Sequence, residues 1–170
     1  MNDFIWSDLH MGHANVIDYE SRPYSSVEQM NEALAENWRA VVTKHDRIWN
    51  LGDVALKMSK ETLEKIIKNL PGKKILILGN HDRGRSPTWW HDVGFDEVYP
   101  YPVIYEGFYM LSHEPLYVNK NMPYVNVHGH THGTSSDNPQ QINVSVDVIN
   151  FTPMPFEDIK DRFVEKTADN

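Results

Sequence analysis

The amino-acid sequence predicts an α/β fold built from two sheets that pack face to face, with helices on the outside. The first half of the chain alternates short apolar strands with amphipathic helices in a β-α-β-α-β order, which is typical of a parallel sheet. From about residue 95 the pattern changes to short strand-like runs separated by Pro, Gly and Asn, which indicates a second sheet. With 170 residues and no linker or repeat, the chain is expected to form one domain over residues 1–170.

The first predicted strand is the apolar run DFIW (3–6), which leads into the polar segment SDLHMGH. A helix is predicted next, because apolar residues recur at steps of three and four over residues 27–41. Ser25 or Ser26 can cap the start of this helix by accepting a hydrogen bond from a backbone N–H of its first turn.

A second unit of the same kind follows. The segment RIWNLGD (47–53) is predicted as a strand that ends in Gly-Asp. The segment SKETLEKIIKNL (59–70) is predicted as an amphipathic helix, which the next two residues, Pro71 and Gly72, bring to an end. The segment KKILILGNHD (73–82) gives a third strand, which is apolar on both faces and again ends in polar residues.

The second half is predicted to be rich in short strands. The runs that read as strands are DEVY, PVIY, FYMLSHE, YVNVHGH and INVSVDV. The segment SPTWW before them reads as part of a polar loop, and PFEDIKDRF near the end of the chain reads as a short helix.

The composition narrows the possible functions. The chain has 16 basic and 24 acidic residues, a net charge of −8, so we expect neither stable binding to duplex nucleic acid nor association with a membrane. Because there is no Cys, any metal must be held by His, Asp, Glu or Asn. The sequence shows no secretory signal, and its longest apolar run, ILIL, is too short to cross a bilayer, which predicts a cytoplasmic protein.

Side chains that can bind metal stand at the ends of five predicted strands. These side chains are Asp8 and His10, Asp53, Asn80 and His81, His113, and His130 and His132. The carboxyl ends of parallel strands meet along one edge of a sheet, where α/β folds bind their ligands. Each fragment alone also suits a polar loop, a turn or a hydrogen-bonded histidine, but together they predict one shared site. We expect His128, which precedes the last fragment, to pack near that site without binding metal.

The same fragments resemble a known family. Their order matches the five-block motif of the calcineurin-like metallophosphoesterase superfamily, and the chain is similar to the compact, uncapped bacterial and phage members of that superfamily. The blocks in this sequence are Asp8-Leu9-His10, Gly52-Asp53, Gly79-Asn80-His81-Asp82, His113 and Gly129-His130-Thr131-His132. The resemblance implies a four-layer α/β/β/α sandwich of two mixed sheets flanked by helices, with a two-metal centre between the sheets.

The resemblance also implies a role for each of these residues. Asp53 would bridge the two metals, His81 would act on the substrate, and Asp82 would orient His81 or cap the segment that follows. The ligands of the first metal would be Asp8, His10 and His132, and those of the second metal would be Asn80, His113 and His130.

The resemblance implies two divalent metal ions; we expect Mn first, and these residue types are also compatible with Fe, Zn, Ni or Mg. The expected activity is hydrolysis of phosphate esters, in which a hydroxide that bridges the ions attacks phosphorus and His81 assists the leaving oxygen. Phosphodiesters are slightly favoured over monoesters, and nucleotides are among the expected substrates. Two alternatives are a non-enzymatic interaction module of the same fold and a nuclease that acts with a partner.

A few further residues are candidates for substrate binding. Arg83 and Arg85 follow the third strand directly and can grip a phosphate oxygen, while Arg22 and His13 lie near the first motif. Trp89 and Trp90 could stack on a base, although tryptophans that close the core would give the same pattern.

Overall fold

The computed structural model describes residues 1–134 and 136–168. Its larger sheet has five strands in the order β4-β3-β2-β1-β9. Strands β1 to β4 are parallel, and β9 pairs with β1 in the antiparallel direction. The strands are β1 (Asp3–Trp6), β2 (Arg47–Asn50), β3 (Lys73–Ile77), β4 (Glu97–Tyr99) and β9 (Met154–Pro155).

The smaller sheet has four strands in the order β5-β6-β7-β8. Strand β5 is antiparallel to β6, whereas β6, β7 and β8 are parallel to one another. Both sheets are therefore mixed, as expected. The strands are β5 (Val103–Tyr105), β6 (Tyr109–Leu111), β7 (Val125–His128) and β8 (Gln141–Asn143).

Helices flank the two sheets. Both helices expected in the first half are confirmed, and each starts at a serine that accepts a backbone hydrogen bond: Ser26 caps α2 and Ser59 caps α3. Met30, Leu34 and Trp38 form the buried stripe of α2. The helices are α1 (Asn15–Tyr19), α2 (Val27–Val41), α3 (Lys60–Lys68), α4 (Pro87–Val93) and α5 (Phe156–Ala168).

Two segments differ from their sequence-based predictions. The supposed loop SPTWW contains the start of α4, because Ser86 accepts a hydrogen bond from the backbone N–H of Trp89 and Pro87 suits the first turn of a helix. The run INVSVDV is not a continuous strand. It leaves the sheet after Asn143 and forms a 3₁₀ turn over Val146–Val148.

The core lies where the two sheets meet. One continuous cluster of buried side chains contains Ile5 and Leu76 of the larger sheet together with Leu111 and Val127 of the smaller sheet. Together with the flanking helices, this packing gives the α/β/β/α sandwich that the sequence predicts. In the part of the chain that the structure describes, no helix is both long and apolar enough to cross a membrane.

The register of the parallel strands sets the place of the site. Trp6 of β1 stands opposite Asn50 of β2, and Asn50 stands opposite Leu76 of β3, so the loops that follow these strands leave the same edge of the sheet. A single parallel bridge between Ser7 and Ser145 ties this edge to the chain that follows β8. The carboxyl ends of strands from both sheets therefore surround one space.

Candidate metal centre

Two groups of metal-ligand side chains lie in this space. Within each group, one ligand atom of every residue lies within 4.8 Å of the others. Asn80 adds an amide oxygen to the second group, since its Oδ1 lies 2.8 Å from His113 Nε2 and 3.1 Å from His130 Nδ1. The first group consists of Asp8, His10 and His132, and the second of Asp53, His113 and His130.

The Asp53 carboxylate lies between the two groups. Its Oδ2 is 3.4 Å from His113 Nε2 and 3.6 Å from His10 Nε2, and the side chain is only 3% exposed. The structure thus brings together all seven residues that were predicted as ligands, with Asp53 in the position from which one carboxylate reaches both groups.

The buried polar atoms of the first group test whether these residues suit a metal. Among the described residues, Asp8 Oδ1 and both ring nitrogens of His10 are buried without a hydrogen-bond partner. Leaving such atoms unpaired costs roughly 1–3 kcal/mol each. A bound metal ion would accept their lone pairs and remove this cost. These residues therefore fit a bound cation.

Electrostatics favours the ligand forms of two residues. Burial lowers the pKa of His10 to about 3, so its imidazole is neutral and free to donate a lone pair at neutral pH. Burial alone would raise the pKa of Asp53, but the hydrogen bond and the charge of His113 outweigh burial and lower it to about 2. Burial lowers the pKa of His113, but the hydrogen bond and the charge of Asp53 outweigh it and raise that pKa to about 9, so His113 must give up its proton when it binds a metal ion. A neutral imidazole and an ionised carboxylate are the forms that bind metal.

The candidate ligand residues occupy an unusual backbone conformation. Five of them have left-handed φ angles although none is glycine: Asp8 (62°), His10 (51°), Asp53 (55°), His130 (68°) and His132 (47°). Hydrogen bonds between the loops hold this geometry, including Asp8 N–H to the carbonyl of Gly52 (3.0 Å) and His10 N–H to that of Asp53 (2.9 Å). Such conformations cost of order 1–3 kcal/mol each and cluster at functional sites.

Two glycines allow the loops to approach one another. A Cβ atom on Gly79 would overlap the Asp53 carboxylate, and one on Gly129 would overlap Ser7 Oγ and Asp8 Oδ2. At both positions glycine is therefore required for space, because a side-chain carbon would displace a proposed ligand.

Asp82 has a role that the sequence did not predict. Its buried carboxylate accepts backbone hydrogen bonds from Gly79 (2.9 Å), Asp53 (2.6 Å) and Val54 (3.2 Å). Asp82 thus fixes the loop after β2 against the loop after β3, which is a different task from orienting the His81 ring.

Asp147 and Ser145 support the first group, and sequence reasoning missed both. Asp147 Oδ2 accepts a hydrogen bond from His132 Nδ1 at 2.8 Å, which directs the other ring nitrogen of His132 toward the first group. The Ser145 hydroxyl donates to Asp8 Oδ2 at 2.7 Å. Both residues are polar positions of the run INVSVDV. This alternation of polar and apolar residues could have identified them from the sequence.

Arg22 lies beneath the first group and does not face the open side of the site. Its guanidinium donates to both carboxylate oxygens of Asp147 (2.8 and 3.0 Å) and to the backbone carbonyls of Asp8 (2.8 Å) and Leu9 (2.9 Å). Because the side chain is fully buried, the expected contact with substrate has no geometric support. Arg22 instead holds Asp147 and the loop after β1 in place.

His81 stands at the open side of both groups. Its side chain is 42% exposed, and its Nε2 is 3.9 Å from Asp53 Oδ2. Its ring lies 5.5 Å from that of His10, and its backbone N–H donates to Asp53 Oδ1 at 3.0 Å. His81 is therefore placed to contact a molecule that binds at the centre from outside.

The other predicted substrate residues have mixed positions. The His13 ring lies 5.7 Å from the His10 ring, next to the first group. Arg83 forms an exposed ion pair with Glu114 at 2.7 Å. Trp90 is buried in the core, whereas Trp89 is only partly buried. His128 is buried outside both ligand groups, and its Nδ1 lies 2.8 Å from the carbonyl of Gly129.

The fold and the paired ligand groups define a class of protein, the α/β/β/α sandwich proteins with a candidate metal centre between two sheets. The sequence profile of the calcineurin-like phosphoesterases matches residues 4–169. The chain therefore belongs to the calcineurin-like phosphoesterase family, whose members hydrolyse phosphoesters with a dinuclear divalent metal centre.

The chain is also similar to individual proteins. The chain is 35% identical to an uncharacterized protein of Methanocaldococcus jannaschii, over 96% of this chain and 91% of the relative. It is 31% identical to the Gene 66 protein of Mycobacterium phage D29, over 86% and 88% of the two chains. The crystal structure of a protein of unknown function from Aquifex aeolicus covers 94% of this chain and 98% of its own, with a TM-score of 0.74 and 22% identity, a likeness that shows the fold.

Proposed function

We propose that this protein hydrolyses phosphate esters, phosphodiesters ahead of monoesters, at a centre of two divalent metal ions. The observation that carries the proposal is the position of the Asp53 carboxylate between two ligand groups, with His81 exposed beside it. Family membership supports the reaction class, since the family acts on phosphoesters.

Each of the two ligand groups would bind one metal ion. Asp8, His10 and His132 would hold one ion, Asn80, His113 and His130 the other, and Asp53 both. When bound, two such ions supply an activated water and a positive clamp on the phosphoryl oxygens. The amide of Asn80 is neutral, so it leaves more positive charge at the centre than a third carboxylate would. Carboxylate, amide and imidazole ligands are compatible with Mn, Fe, Zn, Ni or Mg, and we expect Mn first.

His81 would act on the substrate itself. It is positioned to donate a hydrogen bond to the phosphoryl oxygens or a proton to the leaving oxygen. A backbone hydrogen bond from its own N–H to Asp53 fixes the start of this side chain relative to the centre. The ring can therefore reach a bound substrate without contributing to the ligand groups.

The substrate is proposed to be a phosphate ester or nucleotide. A net charge of −8 supports the exclusion of stable duplex binding, because duplex nucleic acid is bound mainly by neutralising its phosphates with basic residues. A panel of aryl monoesters, aryl diesters, cyclic nucleotides, dinucleoside polyphosphates and single-stranded DNA, each with Mn, would rank these substrates.

Changing His81 to Ala tests the proposed mechanism. We expect the turnover of bis(p-nitrophenyl) phosphate with Mn to fall by about 10²–10⁴-fold, the usual contribution of a general acid. The variant should still bind two Mn ions, as measured by equilibrium dialysis. His45→Ala removes an exposed histidine outside both ligand groups and is the matched control, which should keep full activity. Loss of metal from the His81 variant would show that His81 is a ligand, against the proposal.

A further inference from the structure

A second concave site opens next to His81, away from the two ligand groups. This pocket has a volume of ≈ 250 Å³, and His81 belongs to its wall. Leu56, Met58 and Trp90 are among the apolar side chains that line it, while Lys57 and Arg85 bring two cations. We call it the His81 pocket. A molecule held at the metal centre next to His81 could therefore extend directly into it.

The two cations of the His81 pocket are not neutralised. Among the residues that the structure describes, neither the Arg85 guanidinium nor the Lys57 ammonium forms an ion pair or a hydrogen bond, whereas nearby Arg83 is paired with Glu114. In a chain with a net charge of −8, two unpaired cations beside the candidate centre form a local positive surface. Such a surface attracts a molecule that carries negative charge.

The wall of the His81 pocket also offers a planar aromatic surface. The guanidinium carbon of Arg85 lies 5.3 Å from the centre of the Trp89 ring. Trp89 packs edge-on against Trp90, with ring centres 4.7 Å apart, and Trp90 is anchored in the core. Because Arg85 is also exposed, its planar guanidinium is accessible to a second planar group, and proteins use arginine in this way to stack on nucleobases.

We propose that the His81 pocket binds the base of a nucleoside phosphate whose scissile phosphate lies at the metal centre. Arg85 stacks on the base, and Lys57 attracts a phosphate of the same molecule. This inference rests on the proposed phosphoesterase function and names its substrate class. At ≈ 250 Å³ the pocket is slightly smaller than the roughly 300–1,000 Å³ of pockets that enclose a whole ligand, so it suits one part of a substrate.

The test compares two diesters that differ only in the base-bearing group. These are the p-nitrophenyl ester of thymidine 5′-monophosphate and methyl p-nitrophenyl phosphate, both with Mn. Arg85→Ala should raise the KM for the thymidine ester about tenfold, since stacking on one base contributes about 1–3 kcal/mol. It should leave kcat/KM for the methyl ester within about twofold. An equal loss with both esters, or no loss with the thymidine ester, would overturn the proposal.

Two further variants guard against indirect effects. Arg39→Ala removes an exposed arginine that lies on α2 and pairs with Glu32 on the same helix, so both KM values should stay unchanged. Trp89→Phe keeps an aromatic ring against Trp90 but gives Arg85 a smaller ring to pack on. It should raise the KM for the thymidine ester alone. If Arg39→Ala weakens the thymidine ester as much as Arg85→Ala does, general charge explains the effect and the proposal fails.

A binding measurement separates this inference from the proposed function. Thymidine 5′-monophosphate added to chelated protein should quench tryptophan fluorescence at lower concentration than inorganic phosphate, and Arg85→Ala should remove that difference. If wild type with Mn hydrolyses neither ester while this binding persists, the phosphoesterase function fails and the pocket stands. If thymidine 5′-monophosphate binds no better than phosphate, the pocket proposal fails whatever the activity.

The nucleoside phosphate could be a free nucleotide or the end of a single strand. Short oligothymidylate and thymidine 5′-monophosphate can be compared as competitors of the thymidine ester. Stronger inhibition by the oligomer would indicate a strand end, and stronger inhibition by the mononucleotide a free nucleotide. The absence of competition by both would contradict the proposal.

Discussion

At the scale of single residues, the site depends on backbone positions that side chains normally avoid. Asp8 and Asp53 follow parallel strands and turn at once into the left-handed region, which points their carboxylates into the shared space. Neighbouring residues hold these positions by hydrogen bonds, and glycines leave room for the loops to approach one another. Substitutions that leave every proposed ligand intact should therefore still damage the centre.

Gly129→Ala is the sharpest such substitution. The added methyl would overlap Ser7 and Asp8, so we expect Mn affinity to fall and the protein to lose about 1–3 kcal/mol of stability through overpacking. Isothermal titration with Mn and urea unfolding would measure the two effects. Gly133→Ala is a matched control in the same loop, because no atom of the described residues lies within 4 Å of its added Cβ. Equal behaviour of the two variants would refute the close-approach explanation.

Asp147→Asn tests the support of His132. The substitution keeps the shape of the side chain but removes the charge that binds His132 Nδ1 and Arg22, so Mn affinity should fall about 10–100-fold. Stability should also fall, since the buried Arg22 loses its counter-charge. Competition with a fluorescent chelator measures the affinity. Asp158→Asn, an exposed change on α5, is the control and should not change Mn affinity. An unchanged Mn affinity in the Asp147 variant would show that Asp147 does not position His132.

At the scale of secondary-structure elements, side-chain hydrogen bonds hold the turns next to the strands in place. Asp46, just before β2, accepts hydrogen bonds from the Thr43 hydroxyl (2.6 Å), the Thr43 N–H (3.0 Å) and the Asn2 N–H (2.8 Å). It thereby clips the start of the chain to the turn between α2 and β2. The hydrogen bonds from the Thr43 hydroxyl and from the two backbone N–H groups lower the pKa of Asp46 from 3.8 to about 2.

This clip predicts a pH-dependent stability difference. Because the folded pKa is depressed, the ionised Asp46 stabilises the fold above about pH 4, and this contribution is lost as the pH falls toward 2. Asp46→Asn should cost about 2 kcal/mol at pH 7, with the difference from wild type shrinking below pH 4. Urea unfolding of chelated protein from pH 7 to 3 measures it. Asp18→Asn, an exposed change on α1, should show no such trend; a constant Asp46 difference at all pH values would argue against the clip.

The elements also show what the sequence could and could not predict. Helices α2 and α3 were predictable because their apolar spacing and serine caps are local signals. The clustering of the candidate ligands was predictable because each stands directly after an apolar run, whereas the role of each one was implied by the family resemblance. Helix α4 was missed because its two tryptophans gave no clear spacing. The buried pairing of Arg22 with Asp147 could not be predicted because the two residues lie 125 positions apart in the chain. Contacts of that range follow from packing and not from a local pattern.

At the scale of the whole molecule, the candidate centre joins the two sheets. One sheet contributes the loops after β1, β2 and β3, and the other contributes the loops after β6 and β7. Metal binding should therefore stabilise the packing of the sheets against each other, because ions that bind only the folded chain shift its unfolding equilibrium. The same arrangement leaves His81 and the His81 pocket on the open side of the centre.

The most direct test of the central claim is a titration of exhaustively chelated protein with Mn, with hydrolysis of bis(p-nitrophenyl) phosphate followed alongside metal binding. A two-metal centre predicts no hydrolysis before Mn is added, two Mn ions bound per chain, and activity that requires both ions. Hydrolysis that survives complete chelation, or full activity with a single bound ion, would contradict the two-metal centre.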